Sequence, residues 1–321
     1  MAQFLQFVDL VQRLGMNTET EVLVGGAPDA SVQDDDIHRP GMGLMGYTDG
    51  FLTNRLQVFG ESEVRYLESL NESKQRAAIR RVLEVKIAGA FVAKDLSIPA
   101  AVLKELENGQ VPVVRVSLET EDLVDLLRDI LKDFFAPRSN VHGTLVDVYG
   151  VGMLFTGRSG IGKSETALDL IERGHRLVAD DLVEITRRDD VLLGTGRETL
   201  KHHMEIRGIG IVDVFPIFGV RALRMQKRVE IEVRLEDWVE GKTYDRLGLE
   251  REESEILGIK IPRVNVPIVP GKNITVIIEV LALDLMLKVY GIDSAELLNL
   301  KLIESMEELG RTAQYLRHDL E

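Results

Sequence analysis

The chain has 321 residues, 45% of them hydrophobic and 29% charged, with a formal net charge of −14. That size and composition predict a globular protein of one or two domains with a core of its own, and the absence of cysteine excludes disulfides, thiolate metal sites and a cysteine nucleophile. The acidic balance argues against a broad nucleic-acid-binding surface, and no apolar run of about 18 residues suggests a membrane span. Met1–Leu5 offers no basic segment ahead of an apolar stretch, so no signal peptide is expected and the cytoplasm is the expected compartment.

Along the chain, 25–50 is rich in Gly, Pro and Asp and reads as loops with short strands. Helices are predicted over Glu63–Leu70, Ser73–Glu84 and Pro99–Glu107, with strands at Lys86–Val92 and Val111–Ser117. From Thr120 to Phe135, Leu123, Leu126, Leu127, Ile130 and Leu131 recur at helical spacing, with Thr120 as the expected N-cap. Ala136–Asn140 breaks that pattern, and the predicted division is an α/β domain over 1–133 and a second domain over 134–321. The second half opens with strands at Gly143–Val148 and Gly152–Phe155 around a Tyr149-Gly150 turn. Further strands are expected at Arg228–Leu235 and Ile274–Leu281. A final helix is expected over Ser294–His318, packing Leu297, Leu298, Leu300 and Ile303 inward.

The most specific local motif is Gly157-Arg158-Ser159-Gly160-Ile161-Gly162-Lys163-Ser164, which fits G-x-x-x-x-G-K-[ST]. An apolar strand leads in, a helix pattern over Glu165–Arg173 leads out, and Gly174 is a natural stop. Glycines let backbone N–H groups approach phosphate oxygens, and the helix N-terminus adds partial positive charge. Lys163 supplies a mobile point charge for the β- and γ-phosphates, and the Ser164 hydroxyl can ligate Mg²⁺. The alternative is a glycine-rich strand–helix turn with no ligand.

Asp180 and Asp181 follow an apolar strand, 17 and 18 residues after Lys163. A metal-handling or proton-handling carboxylate belongs there, and on an extended segment the two would point to opposite sides. In Glu205–Val214, Gly208 and Gly210 interrupt an apolar run flanked by Glu205, Arg207 and Asp213. It reads equally as a loop near the site or as a bulged strand. Taken singly, His142 reads as structural, Arg246 as a surface arginine, and Val266–Asn273 as a Pro/Gly loop between strands.

Together these segments resemble the bacterial HPr kinase/phosphorylase family, enzymes acting on a serine of the phosphocarrier protein HPr. The resemblance runs through Val141-His142-Gly143, Gly157–Ser164, Ala179-Asp180-Asp181, Glu205–Val214, Tyr244–Gly248 and Pro267–Lys272. The Glu205–Asp213 stretch is its most specific part, and the first half fits more loosely. The resemblance implies a C-terminal P-loop kinase domain similar to PEP carboxykinase, a homohexamer, Mg²⁺, and ATP or pyrophosphate as phosphoryl donor. It implies that the 157–164 loop and Lys163 bind the donor phosphates, Ser164 and Glu205 hold Mg²⁺, Asp181 is the base, and Asp180 supports the metal or the base. His142 and Arg246 would stabilise phosphoryl charge. Arg207, Gly208, Gly210 and Asp213 would support the site, and Pro267, Gly271 and Lys272 would serve phosphorolysis. Arg158 stands where the family commonly has an acidic or small residue, and Lys272 where it commonly has Arg. A nucleotide sensor without turnover and a P-loop kinase for a small molecule are the other readings of the same residues.

Overall fold

The structure is a computed structural model and describes residues 4–47, 53–197, 201–239, 252–269, 271–303 and 305–306. The chain divides into two compact units, Met1–Ala136 and Pro137–Glu321.

The first unit runs β1 (Leu5–Gln6), α1 (Phe7–Gly15), β2 (Thr20–Val24), β3 (Ser31–Val32), β4 (Ile37–His38), α2 (Gly41–Met45), β5 (Arg55–Phe59), α3 (Glu61–Glu68), α4 (Glu72–Leu83), β6 (Ile87–Val92), α5 (Ala100–Asn108), β7 (Val113–Val116) and α6 (Thr120–Phe135). Its main sheet has the order β2-β7-β6-β5-β4, parallel except for the antiparallel edge strand β2. Helices cover both faces. Leu10 and Leu14 of α1 and Leu123, Leu127 and Leu131 of α6 meet Leu56, Val58, Phe91 and Val116 on one face. Val64, Ile79, Val82, Val102 and Leu106 meet Phe59, Ala90, Val92 and Val113 on the other. Strands buried on both faces explain the near-continuous apolar runs of β6 and β7.

The helical stripe over 120–135 is α6, but Glu119 occupies the cap position and Thr120 is its first helical residue. The helix stops because Pro137 pushes Ala136 into extended backbone, at φ −52° and ψ 132°. Within 25–50, read as loops and short strands, the structure adds the short helix α2, closed by Gly46 at φ 105°.

The second unit contains β8 (Arg138–His142), β9 (Thr144–Val148), β10 (Val151–Thr156), α7 (Lys163–Glu172), β11 (Arg176–Ala179), β12 (Leu182–Arg188), β13 (Val191–Gly196), β14 (His203–Ile206), β15 (Gly210–Asp213), α8 (Val214–Phe218), β16 (Gln226–Arg228), β17 (Ile231–Asp237), β18 (Glu252–Ile256), β19 (Ile259–Ile268) and α9 (Ile274–Val289). A six-stranded sheet of order β11-β9-β10-β17-β19-β18 packs against a four-stranded sheet of order β16-β13-β12-β8. Leu145, Leu154, Val183, Ile185, Leu192 and Ile261 fill the space between them. The opposite face of the larger sheet, through Val146, Met153, Phe155 and Val233, receives Leu170 and Ile171 of α7 and Ile278 and Ala282 of α9. β10, β17 and β19 are mutually parallel, so their carboxyl ends open on one edge.

Two expectations are overturned here. Ile274–Leu281, read as a strand, lies in helix α9. Its β-branched run favours extended structure in isolation. The Asn273 side chain caps the helix by accepting from Val276 N at 3.2 Å, and Thr275, Ile278, Glu279 and Ala282 are buried. Arg173 donates twice to Glu279, at 2.8 and 2.6 Å, and His175 lies 3.1 Å from the same carboxylate. Tertiary contacts of this kind outweigh propensity. A last helix covers 294–303, but Leu297, Leu298, Leu300 and Ile303 are exposed rather than packed inward. Among the described residues, no helix is long and apolar enough to cross a membrane.

Candidate active site

The glycine-rich loop leaves β10 and enters α7. Gly157, Gly160 and Gly162 all have left-handed backbone, at φ 138°, 73° and 106°. A Cβ on Gly157 would lie 2.4 Å from the Leu235 carbonyl oxygen of β17, and one on Gly160 would lie 2.1 Å from the Arg207 guanidinium. The loop is therefore pressed against a neighbouring strand at Gly157, where the backbone leaves no room for a side chain, and against the movable tip of an arginine of another segment at Gly160. Lys163 turns back over it, its Nζ donating to the carbonyl oxygens of Gly157 and Arg158 at 3.3 Å each.

Ser164, in the first turn of α7, donates to Asp180 Oδ1 at 3.0 Å, and Thr144 of β9 donates to the same oxygen at 2.6 Å. The backbone N–H of Glu205 reaches the other carboxylate oxygen at 3.3 Å. Asp180 is 6% exposed. Burial pushes its carboxyl above the ordinary value, opposed by these hydrogen bonds and by the backbone N–H of Asp181. Among the described residues no basic side chain pairs with it.

The two aspartates differ for a reason other than the expected alternation along a strand. β11 ends at Ala179, and Asp180-Asp181 is a bend into β12 with Asp181 at φ 65°. That backbone, held by Gly143 N donating to the Asp181 carbonyl at 3.0 Å, leaves Asp180 buried and Asp181 exposed. β8 pairs with β12 so that His142 faces Leu182, which sets the exposed His142 beside Asp181.

Glu205–Asp213 is neither a loop nor a bulged strand. β14 and β15 form a hairpin with Glu205 opposite Ile211, turned by Gly208 at φ 84° and Gly210 at φ 100°. It sets the Glu205 backbone N–H at Asp180 and the Arg207 guanidinium at the glycine-rich loop. Asp213 faces elsewhere in role, accepting from Phe215 N at 3.0 Å to cap α8.

Arg158 forks onto Asp237 at the end of β17, Nε to Oδ2 at 2.6 Å and Nη2 to Oδ1 at 2.7 Å. The pair holds the Asp237 carboxyl below its ordinary value. Pro267 lies near the end of β19 opposite Glu236, and Gly271, at φ 83°, belongs to the turn into α9. Lys272 Nζ stands 5.9 Å from the centre of the Trp238 ring. Arg246, with the whole of Tyr244–Gly248, lies outside the described residues, as does Pro270.

The structure thus brings together His142, the 157–164 loop, Asp180, Asp181, Glu205 and Arg207. Sequence reasoning missed Thr144 and Asp237. No local pattern marks Thr144, whereas the acidic end of an apolar strand, Leu235-Glu236-Asp237, could have flagged Asp237. The side-chain oxygens held beside the loop are the Ser164 hydroxyl and the Asp180 carboxylate, with Glu205 meeting the same carboxylate through its backbone N–H. A buried carboxylate with no cationic partner among the described residues, beside a glycine-rich strand–helix loop, is a donor set that fits Mg²⁺, which is commonly held by one or two carboxylates plus substrate phosphate.

Known families match both units. One described as HPr Serine kinase N terminus matches residues 6–131, and one described as HPr Serine kinase C-terminal domain matches residues 133–302. The chain belongs to the HPr serine kinase family. An HPr kinase/phosphorylase of Chloroherpeton thalassium is 45% identical over 298 residues, covering 90% of this chain and 88% of the relative. The Bacillus subtilis HPr kinase/phosphorylase is 42% identical over 274 residues, covering 85% of this chain and 88% of the relative. A solved structure of the Hpr(Ser) kinase/phosphatase from Coxiella burnetii is 34% identical, covers 49% of this chain and 96% of that one, and superposes with a TM-score of 0.46.

Proposed function

We propose that this chain phosphorylates a serine of the phosphocarrier protein HPr with ATP and Mg²⁺, and reverses the modification with inorganic phosphate, as a regulator of carbon metabolism. The observation that carries the reading is the Ser164–Asp180 hydrogen bond at 3.0 Å followed by the exposed Asp181. One carboxylate is fixed to the phosphate loop, and the next residue offers a carboxylate to solvent, where a protein's serine can reach it.

In the forward direction the HPr serine oxygen attacks the γ-phosphorus of ATP. A serine O–P bond forms, the bond to the β,γ-bridging oxygen breaks, ADP leaves, and Asp181 takes the hydroxyl proton. A serine hydroxyl is a weak nucleophile, so a positioned base is required. In reverse, an oxygen of inorganic phosphate attacks the phosphoserine phosphorus. The serine oxygen departs with the proton from Asp181, and pyrophosphate is released. Run backwards, that reaction makes pyrophosphate a second candidate donor.

Lys163 and the loop N–H groups hold the donor phosphates, and His142 and Arg246 neutralise charge on the transferring group. Arg207, pressed on Gly160, and the Gly208 and Gly210 turn keep Glu205 and the loop in register. Ser164 and Glu205 would hold Mg²⁺, with Asp180 orienting Ser164; the ion neutralises phosphate charge when bound. The 267–272 segment, with Lys272, serves the phosphate that attacks in reverse.

The same reading gives the second unit the P-loop fold of PEP carboxykinase and makes the protein a homohexamer in the cytoplasm, where ATP and HPr meet. Exposed Val276, Ile277, Val280 and Leu283 on α9 and Leu297, Leu298 and Leu300 beyond it support assembly with further copies.

The test uses purified protein, Mg²⁺, ATP and HPr, with mass spectrometry of HPr followed by addition of inorganic phosphate. Phosphoserine that then disappears with release of pyrophosphate is expected. Phosphoserine that phosphate leaves untouched would reduce the reading to a kinase. ATP binding with no phosphoserine would shift it to a sensor or another substrate.

A further inference from the structure

Three parallel strands deliver three segments to one edge. The phosphate loop follows β10, Asp237 and Trp238 end and follow β17, and 267–272 ends and follows β19. The end of β17 gathers a cation from each side: Arg158 from the phosphate loop on Asp237, and Lys272 from the far loop over Trp238.

Arg158 is the second residue of the phosphate loop, and in the fork its charge is matched by Asp237 at two points. Among the described residues the guanidinium makes one further hydrogen bond, Nη1 to the Ser159 carbonyl at 3.4 Å. Both partners are more than half exposed, at 60% and 58%, so the pair is open to solvent and to an incoming anion. Asp237 also carries a negative charge at the mouth of a site built for polyphosphate. An arginine there is an obvious phosphate ligand, and the structure instead occupies it with a carboxylate of the next strand.

We propose that Asp237 is a positioning residue that quenches the charge of Arg158 at the mouth of the phosphate cradle and thereby sets how tightly the phosphoryl donor is held. This rests on the reading of the 157–164 loop as the donor site. A phosphotransferase that must release ADP in one direction and pyrophosphate in the other gains from a mouth that is not over-charged. Binding energy that holds the product as firmly as the substrate slows turnover.

Two variants break the same pair with opposite electrostatic results. Asp237→Asn leaves Arg158 free, whereas Arg158→Ala leaves Asp237 free. The experiment is calorimetric titration of the full chain with ATP and Mg²⁺ at two salt concentrations. Asp237→Asn is expected to tighten ATP binding about fivefold, more at low salt than at high. Arg158→Ala, which leaves the Asp237 carboxylate uncompensated at the mouth, is expected to weaken it, and Asp237→Glu, which can rebuild the fork, to behave as wild type. Weakening by both Asp237→Asn and Arg158→Ala would mean that the pair merely braces the loop and would overturn the proposal. No change in either would overturn it as well. A wild-type chain that binds no ATP would overturn the donor-site reading itself, whereas bound ATP with HPr left unphosphorylated would count only against the substrate assignment.

Discussion

Ser164 donates to Asp180 at 3.0 Å, and this contact ties the first turn of the phosphate-loop helix to the bend between β11 and β12. On the proposed mechanism, Asp180 is a carboxylate kept in a buried place for its chemistry. Asn at 180 retains an acceptor for Thr144 and Ser164 and removes the charge that burial disfavours, but it turns an amide N–H toward the Glu205 N–H, which loses its acceptor. Relief of the buried charge and loss of the Glu205 hydrogen bond oppose each other, so Asp180→Asn is expected to melt near the wild-type temperature while phosphotransfer to HPr falls by about 10- to 100-fold, the cost of losing a group that orients a metal ligand in the proposed site. Thermal melts paired with initial rates check it, and a destabilised variant with normal turnover would contradict it.

The exposed Asp181 gives a contrasting expectation. Asp181→Asn touches no buried contact, so stability should stay within about 0.5 kcal/mol of wild type. ATP affinity should hold while the rate of phosphoserine formation drops by about 10²- to 10⁴-fold, the usual worth of a general base. Single-turnover assays at saturating ATP isolate that step.

Space at the glycines is the third point. At Gly157 a Cβ would meet the Leu235 carbonyl oxygen at 2.4 Å with φ at 138°, so both backbone and sterics oppose Gly157→Ala. Gly174, where φ is 100° but no atom lies within 4 Å, carries the backbone cost alone. Gly157→Ala should abolish ATP-induced thermal stabilisation, whereas Gly174→Ala should keep it and cost about 1 kcal/mol. Titrating ATP into a melting assay separates the two.

The clasp between α7 and α9 is the source of a pH dependence. The Arg173 hydrogen bonds hold the Glu279 carboxyl below its ordinary value, against the opposing effect of burial and with help from His175. A carboxyl lowered by folding stabilises above its unfolded value, about 4.3, and that stabilisation is lost as pH falls through the lower folded value. Glu279→Gln should therefore melt below wild type at pH 7, by about 1–2 kcal/mol after allowing for the half-exposed Arg173. The gap should begin to narrow as pH falls below about 4.3 and go on narrowing through the lowered folded value. A deficit that does not shrink at all between pH 7 and pH 3 would mean that packing, rather than charge, is lost.

The cradle was legible in the sequence because its signals are local. Glycines where φ is positive, a lysine and serine at the helix start, and an apolar strand before them lie within a dozen residues. The stripe of Leu123, Leu127 and Leu131 was legible for the same reason: a buried face recurs at helical spacing. Partners across the fold were not. Arg158 and Asp237 are 79 residues apart, and nothing in either segment names the other. The α9 error has a related origin, since Val276, Ile277 and Ile278 favour a strand until Glu279 finds Arg173 and His175. Leu297 and Leu298 show apolar spacing without stating what the apolar side meets.

The Asp180-Asp181 bend carries the chain from the six-stranded sheet into the four-stranded one, and this has a consequence for anyone who re-engineers the protein. One residue inserted between Ala179 and Leu182 would slide β12 a step along β8, remove Leu182 from opposite His142, and turn every side chain of β12 to the other face. The Asp189-Asp190 turn between β12 and β13 is the opposite kind of place, a hairpin end where a reporter peptide can be spliced without shifting either strand. The molecule therefore has a corner whose length is fixed to the residue and, one strand later, a bend that accepts added length.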